Sequence, residues 1–152
     1  MLVKRAMSKN VVSVSVPGNR EKVLDLMRKE DKAVLPVVKG DTKQLVGLIT
    51  RSDLIVNPDE EQIAILMSTD LVTASPDDDV KDVAKKMIDN NVRRVPVVDD
   101  NGDLVGIITS FDLVSNALIK LESDDPVENF MITTVPTTWY KTPLNVAFET
   151  MK

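Results

Sequence analysis

The sequence predicts an α/β fold, of the α+β type, in which two tandem β-α-β-β-α repeats pack as a pseudo-twofold pair. Two observations lead to this prediction. Blocks of residues recur in the same order about 60 positions apart, and each copy combines β-branched segments with segments that have the spacing of a helical face. A single copy of about 55 residues would be only marginally stable by itself. Two copies are therefore expected to bury their faces against each other and to leave a cleft between them.

The repeat is carried by several blocks. The offset is 60 residues in the first half of the unit and 59 after the turn between its last two strands, so the first copy has one extra residue in that turn. The matching blocks are Ala6-Met7-Ser8 and Leu66-Met67-Ser68, Leu35-Pro36-Val37-Val38 and Val95-Pro96-Val97-Val98, Leu45-Val46-Gly47-Leu48-Ile49-Thr50 and Leu104-Val105-Gly106-Ile107-Ile108-Thr109, and Asp53-Leu54 and Asp112-Leu113.

A third copy starts near Val127, and the chain ends halfway through it at Lys152. Either the chain is a piece of a longer protein or this tail completes itself against another chain, and we expect the former. The predicted regions are a first repeat (residues 1–57), a second repeat (58–122) and an incomplete third repeat with only a strand and a first helix (123–152).

The elements of each unit follow from residue type and spacing. Residues 11–16 are rich in β-branched side chains, which favours a short strand. Residues 19–29 have apolar side chains on one helical face, with Asn19 as a suitable N-cap. In the third copy, Thr142-Pro143 predicts an N-cap followed by proline at the first helical position.

Two strands and a second helix complete the unit. The strands are predicted at residues 34–38 and 45–50, and in the second copy Asn101-Gly102 is a strong hairpin signal. A helix is expected after Thr50 and after Thr109. Residues 57–61 resemble a further capped helix start that leads into the second unit.

The composition excludes several classes of function. A net charge of −5 and a pI of about 4.8 argue against binding to nucleic acid or to an anionic membrane. No apolar run approaches the ~18 residues needed to cross a bilayer, and the N-terminus lacks the apolar region of a signal peptide, so we expect a cytoplasmic protein. The absence of cysteine and histidine excludes disulfides, the usual zinc sites and His-dependent nucleophiles. We expect no catalytic residues, no metal and no enzymatic activity.

The repeated blocks resemble those of the cystathionine-β-synthase (CBS) domain. A strand ending in Leu/Val-Pro-Val-Val, a turn, and then Leu-Val-Gly-Leu/Ile-Ile-Thr-x-x-Asp-Leu is similar to the pattern of this family, and the resemblance covers two complete copies. It implies a CBS pair, or Bateman module, like those of archaeal-type proteins with several CBS repeats. Such modules commonly bind AMP, ADP, ATP or S-adenosylmethionine as regulatory ligands and require no cofactor. The resemblance also implies a homodimer formed through the helices and an effector protein that reads the bound state.

Thr50 with Asp53, and Thr109 with Asp112, are the main candidate site residues. A threonine N-cap with an acid three residues later is a capping box, which by itself explains the pattern. The same groups would also face the cleft, where a carboxylate can accept hydrogen bonds from ribose hydroxyls and a helix start favours phosphate. The resemblance implies that these positions hold the ribose and the phosphate of a ligand.

The resemblance also implies that each Thr/Asp pair faces strand residues of the other repeat. The predicted first cleft combines Thr50 and Asp53 with Val72, Thr73, Val92, Arg93 and Arg94, and the second combines Thr109 and Asp112 with Val12, Ser13, Lys32 and Ala33. Because Arg93 and Arg94 would meet a phosphate, we expect the first cleft to be the tighter site for a phosphorylated ligand. The second would take a neutral or cationic adenosyl group or stay empty.

Two acidic runs have simpler interpretations than metal sites. Residues 77–79 are aspartates that can complement the dipole of the helix that follows them. Residues 99–103 lack the closing acid of a calcium loop and are expected to form a hairpin turn. The preferred function is therefore a regulatory adenosyl-ligand sensor, and the alternative is a structural module for oligomerisation with no physiological ligand.

Overall fold

A computed structural model describes residues 1–118, 126–129 and 131–150 of the chain. The chain divides into two units, Met1–Leu121 and Glu122–Lys152. The first unit contains the predicted first repeat and all but the last residue of the predicted second repeat.

The first repeat has the predicted order of strands and helices. Its elements are β1 (Val14–Val16), α1 (Arg20–Lys29), β2 (Val34–Lys39), β3 (Leu45–Thr50) and α2 (Arg51–Val56). β1 pairs parallel to β2, and β2 pairs antiparallel to β3. β1 is shorter than the predicted strand at 11–16, because only its last three residues have partners on β2.

The second repeat follows the same order. Its elements are α3 (Ile63–Leu66), α4 (Val80–Asp89), β4 (Arg94–Val98), β5 (Leu104–Thr109) and α5 (Ser110–Leu113), after which the chain continues as a π-helix (Val114–Leu118). β4 and β5 pair antiparallel. The counterpart of β1 is a single parallel bridge between Ala74 and Val97.

One of the predicted helix starts is confirmed by the structure and another is wrong. The Asn19 side chain accepts a hydrogen bond from the Lys22 amide at 3.1 Å, so the predicted N-cap of α1 is confirmed. The capped start predicted at residues 57–61 is wrong, because α3 begins at Ile63 and its N-cap, Gln62, makes no side-chain hydrogen bond. The acidic and proline-containing segment 57–61 instead connects α2 to α3.

The two hydrophobic cores do not follow the order of the sequence. Val3 and Ala6 are buried in the core of the second repeat, with Val83 and Ile108. Ile63 and Leu66 of α3 are buried in the core of the first repeat. Each repeat therefore completes its core with the segment that precedes the other repeat, and packing crosses the predicted boundary at residues 57 and 58.

Backbone pairing reinforces this exchange. The amide of Ser8 donates to the Ile107 carbonyl at 2.9 Å, and the Ile107 amide donates back to Ser8 at 3.0 Å. Ser68 and Leu48 form the equivalent pair in the first repeat, with both bonds at 2.9 Å. Each sheet is thus extended at its β3 or β5 edge by one of two exchanged segments, residues 63–68 for the first repeat and residues 3–8 for the second.

Gly47 and Gly106 permit the close approach of these segments. A Cβ atom at Gly106 would lie 2.5 Å from the Met7 sulfur and 3.2 Å from the Ser8 carbonyl oxygen. At Gly47 the corresponding distances are 2.5 Å to the Met67 sulfur and 3.1 Å to the Ser68 oxygen. The repeated glycine is therefore explained by the exchange.

The second unit contains a 3-10 turn (Val127–Asn129) and α6 (Leu144–Thr150). The Pro143 carbonyl accepts hydrogen bonds from the amides of Val146 and Ala147, so the helix starts one residue later than Thr142-Pro143 predicted. The predicted strand of the third copy is absent from residues 126–129 and 131–150. A strand needs hydrogen-bonding partners, and the third copy includes no counterpart of β2 and β3.

Candidate ligand clefts between the repeats

Both Thr/Asp pairs form complete capping boxes. At α5, one carboxylate oxygen of Asp112, Oδ2, accepts from the Thr109 amide at 2.8 Å and from its hydroxyl at 2.7 Å, while the Asp112 amide donates to the hydroxyl at 3.2 Å. At α2, Asp53 and Thr50 make the same three contacts at 2.7, 2.8 and 3.2 Å. The capping interpretation of the sequence is confirmed in both repeats.

The caps leave one oxygen of each carboxylate unused. The two capping bonds that each carboxylate accepts both end on Oδ2, and within the described part of the chain no hydrogen bond reaches Oδ1 of Asp53 or Asp112. Both aspartates are half-buried. Each is therefore held in a fixed orientation by its own helix while it keeps a free acceptor for a hydroxyl group.

A cavity of about 280 Å³ surrounds the second pair. This volume is close to the lower end of the range for small-molecule sites, about 300 Å³. Residues of both repeats form its wall, together with the segment before β1. The lining residues are Ser8, Asn10, Val11, Val12, Lys32, Val34, Leu35, Pro36, Arg94, Ile107, Thr109 and Asp112.

A second cavity adjoins the first. It has a volume of about 380 Å³ and shares three wall residues with the first, Asn10, Val11 and Val12. Its other lining residues include Ser13, two lysines and part of the β2–β3 hairpin. They are Lys9, Ser13, Val38, Thr42, Lys43 and Leu104.

The structure brings together much of the predicted second cleft. Val12 and Lys32 line the same cavity as Thr109 and Asp112, and Ser13 lines the adjoining cavity. Residues 11–13 precede β1 and have no partners in the β1–β2 pairing. The β-branched run that predicted a longer strand thus forms part of a cavity wall.

Arg94 lines the second cleft, to which the sequence prediction had not assigned it. It lines the cavity with Thr109 and Asp112, whereas the sequence assigned it to Thr50 and Asp53. The reason is strand register: Arg94 is the first residue of β4 and pairs with Thr109, the last residue of β5. The prediction considered only the contact across the repeats and neglected this pairing within the hairpin.

The other residues assigned to the first cleft lie in the second repeat. Val72 and Val92 pack against its hydrophobic core. The Thr73 carbonyl accepts from the Lys86 side chain at 3.4 Å, and the exposed Arg93 accepts a hydrogen bond from the Ser110 amide through its own carbonyl. Among the described residues, none of these four forms a hydrogen bond or ion pair with Thr50 or Asp53.

Sequence reasoning missed several cavity residues. Ser8, Asn10 and Ile107 line the cavity around Thr109 and Asp112, and Lys9 and Lys43 line the adjoining cavity. The recurrence of Ser8 as Ser68 was a signal for Ser8, because a polar residue that is repeated at the same position of both repeats indicates a structural or binding role. Lys9 and Lys43 have no charged counterpart in the other repeat, so the repeat pattern could not identify them.

The aspartates at 77–79 are each used by the protein itself. Asp77 pairs with Lys4 at 2.6 Å, and Asp79 caps α4 and contacts the N-terminal amine at 3.0 Å. The Ser75 amide and the Lys86 ammonium hold the pKa of Asp78 below its usual value. The Lys81 amide, together with the N-terminal amine, lowers the pKa of Asp79. These contacts support the interpretation that the acids serve the helix start.

Metal clusters and membrane-spanning helices are both absent from the described residues. Those residues contain no group of three or more acidic, histidine or cysteine side chains that could hold a metal ion. None of their helices combines the length and the apolar character needed for a membrane span.

The two repeats match the sequence model of the CBS domain over residues 3–59 and 61–118. The chain therefore belongs to the CBS domain family, and its α+β fold is that of a CBS pair. A protein of Methanocaldococcus jannaschii, MJ1426, is 32% identical over 152 residues, covering 75% of this chain and 89% of the relative. A protein of Methanopyrus kandleri, MK0525, is 36% identical over 85 residues, covering 51% of this chain and 43% of the relative. This chain thus spans less than half the length of some of the curated relatives it matches.

Solved structures give the same assignment. The CBS domain pair of protein MJ0100, in complex with 5′-methylthioadenosine and S-adenosyl-L-methionine, is 32% identical with a TM-score of 0.69, covering 76% of this chain and 98% of the other. The cytosolic domain of the Mg²⁺ channel MgtE, in complex with ATP, is 32% identical with a TM-score of 0.65, covering 72% and 46%. CBS pairs also occur within enzymes: the inosine-5′-monophosphate dehydrogenase of Nitrosopumilus maritimus is 35% identical over 120 residues, which is 24% of that enzyme.

Proposed function

We propose that this chain is a regulatory module that binds an adenosyl ligand in the clefts between its repeats. The observation that carries the proposal is the cavity around Thr109 and Asp112, whose wall comes from both repeats. Asp112 keeps a free oxygen beside this cavity, suited to a ribose hydroxyl, and Val12, Val34 and Ile107 offer apolar surface to a base. The adenosyl ligands of the MJ0100 pair and of MgtE support the same ligand class.

The regulatory mechanism follows from the shared wall. A ligand in this cavity contacts the exchanged segment, β2 of the first repeat and α5 of the second. Its binding energy then depends on how the two repeats are placed, so the ligand favours one arrangement over others. An effector protein, or a further domain of a longer chain, would read that arrangement.

Asp112→Ala tests the proposal at its central contact. Isothermal titration calorimetry with AMP, ATP, S-adenosylmethionine and 5′-methylthioadenosine should detect binding of at least one ligand to the unaltered protein. The loss of a charged hydrogen-bond acceptor should weaken that ligand about tenfold or more. Titrations are made well below the unfolding temperature, because the variant also loses a helix cap.

Asp79→Ala is the matched control. It likewise removes an aspartate whose carboxylate caps a helix, here as the N-cap of α4, but Asp79 lines neither of the two cavities. Its ligand affinity should stay within about twofold of the unaltered protein. Equal weakening in both variants would assign the Asp112 effect to lost helix stability and would contradict the proposal.

A second candidate function, oligomerisation, is favoured by the apolar surface of the helices. Ile55 and Val56 of α2 are 73% and 74% exposed, and Phe111 of α5 is 75% exposed. Exposed apolar side chains of this size on α2 and α5 favour association. We propose a homodimer that buries them. Sedimentation should show a dimer for the unaltered chain and a monomer for Phe111→Glu, and a monomer in both cases would exclude this interface.

A further inference from the structure

We propose that the two clefts differ in the ligand charge they accept. The Thr109/Asp112 cleft takes a phosphorylated, anionic adenosyl ligand, and the Thr50/Asp53 cleft takes a neutral or cationic one. This proposal rests on the proposed function, since it names the charge class of ligand for each cleft. It reverses the sequence-based expectation, which had placed the phosphate beside Thr50.

Four basic side chains line the two adjoining cavities. Lys32 and Arg94 line the cavity that contains Thr109 and Asp112, and Lys9 and Lys43 line the cavity that adjoins it. Asp112 is the only carboxylate among the described residues that line these two cavities. The chain as a whole has a net charge of −5, so the positive charge of this group of residues is opposite in sign to the net charge of the protein.

These cations are not neutralised by the protein. Other basic groups have acidic partners, as in the pairs of Lys4 with Asp77 and of Lys86 with Asp78. In the described part of the chain, no ion pair or side-chain hydrogen bond involves Lys9, Lys32, Lys43 or Arg94. Their charges are therefore available to a ligand in the cavity.

The internal repeat provides a comparison within the same molecule. At the repeat offsets, Lys9, Lys32 and Lys43 correspond to Thr69, Val92 and Gly102, none of which is charged. Asn10, which lines both cavities, corresponds to Asp70.

Arg94 lines the cavity of Thr109 but does not distinguish the two clefts. Its counterpart at the repeat offset, Val34, lines the same cavity, so the equivalent set of positions around Thr50 also includes Arg94. The equivalent positions around Thr50 and Asp53 thus lack the three lysines and include an additional carboxylate, Asp70.

The charge difference is large enough to select between ligands. A phosphate monoester is a dianion near neutral pH, and its hydrogen bonds to lysine and arginine are charge-assisted. At the equivalent positions around Asp53 the same group would meet a second carboxylate, Asp70, and none of the three lysines, which raises its free energy in the bound state relative to the other cleft. A neutral thioether or a cationic sulfonium avoids that repulsion. Two ligands that share the adenosyl group are therefore distinguished by the charge on the 5′ substituent.

The test compares AMP with 5′-methylthioadenosine by titration calorimetry. For the unaltered chain we expect AMP to bind one site, and 5′-methylthioadenosine to bind a further site on the AMP-saturated protein. Lys32→Ala combined with Arg94→Ala should weaken AMP by about tenfold or more. Asp112→Ala should also weaken AMP, whereas Asp53→Ala should weaken the 5′-methylthioadenosine that binds in the presence of AMP.

Arg28→Ala serves as the control for loss of a positive charge outside the cavities. Arg28 is an exposed residue of α1 that pairs with Asp25 and lines neither cavity. Its removal should change AMP affinity by less than about twofold. Raising the salt concentration should weaken AMP more than 5′-methylthioadenosine, because only the former binding depends on opposite charges.

The outcomes separate this proposal from the proposed function. If AMP and 5′-methylthioadenosine bind with equal affinity to both sites, or if the Lys32/Arg94 variant binds AMP as tightly as the unaltered chain, the clefts are not sorted by charge and only this proposal is overturned. If no adenosyl compound binds at all, the proposed function fails as well. If AMP follows Asp53 instead of Asp112, the assignment of charge to clefts is wrong while adenosyl binding stands.

Discussion

Gly18 is a position where a single atom decides whether the chain can fold as it does. A Cβ there would lie 2.5 Å from the Ser15 carbonyl oxygen and 2.9 Å from the Ile63 side chain. The nearest obstacle is backbone, which cannot rotate away. Gly18→Ala should therefore lower the free energy of unfolding by about 3 kcal/mol, as measured by urea denaturation.

Gly40 provides the comparison for this substitution. It has a φ of +52°, but a Cβ added there would have no other atom within 4 Å, so Gly40→Ala meets only the local penalty of about 1 kcal/mol. The steric argument fails if the two variants lose the same stability. Gly47 and Gly106, which face flexible methionine side chains, should fall between them.

Asp78 should make the stability of the protein depend on pH. Its carboxylate accepts from the Ser75 amide and the Lys86 ammonium, both at 3.1 Å, and its pKa is lowered from 3.8. A carboxylate with a depressed folded-state pKa stabilises the protein above its unfolded pKa, and this contribution disappears as the pH falls through the folded value. Asp78→Asn should therefore cost up to about 1 kcal/mol at neutral pH and nothing at strongly acidic pH.

Urea midpoints at the two pH values measure this effect. Asp100→Asn, which changes an exposed acid of the β4–β5 turn, should shift the midpoint little at either pH. An Asp78→Asn penalty that persists unchanged in acid would mean that the side chain acts by shape and not by charge.

At the scale of elements, the exchanged segments decide the stability of the repeats. Val3 is fully buried in the core of the second repeat although it lies at the start of the chain. Val3→Ala should cost about 2 kcal/mol from lost apolar burial. Hydrogen exchange should show the loss first in α4 and β5, which contact this core.

Leu2→Ala is the neighbouring control. Leu2 is 36% exposed and lies outside both cores, so its truncation to alanine should cost much less although it removes one carbon more than Val3→Ala. A loss of protection confined to the first repeat in Val3→Ala would contradict the exchange.

The elements themselves were mostly predictable. The N-cap at Asn19, both capping boxes and the hairpin at Asn101-Gly102 depend on residues within a few positions of each other, and all are present in the structure. β1 and the strand of the third copy were overpredicted, because β-propensity reports the residue type and not the presence of a pairing partner. Helix α3 began later than predicted for a similar reason: its position is set by the core it enters.

At the scale of the whole molecule, ligand binding should stabilise both repeats together. The cavity wall includes residues from each repeat, so a ligand bound there cannot stay when either repeat unfolds. At ~100 times the dissociation constant it should add about 2.7 kcal/mol, or a rise of roughly 5–10 °C in the unfolding temperature. Differential scanning calorimetry should show one transition that moves as a unit. A shift in only part of the transition would mean that the repeats unfold independently.

The sequence by itself determined the repeat, the order of strands and helices, the helix caps and the membership of the CBS family, because all of these depend on residues close together in the chain or on the comparison of one copy with the next. Only the tertiary structure decided which segment completes which core, that Arg94 lines the cavity of Thr109, and that Lys9 and Lys43 line the adjoining cavity. Those features depend on residues such as Lys43 and Val12 that share a cavity although they are far apart in the sequence. The exchange of segments between two similar repeats leaves no local pattern in the sequence, since a segment with the same hydrophobic spacing could pack against the core of either repeat.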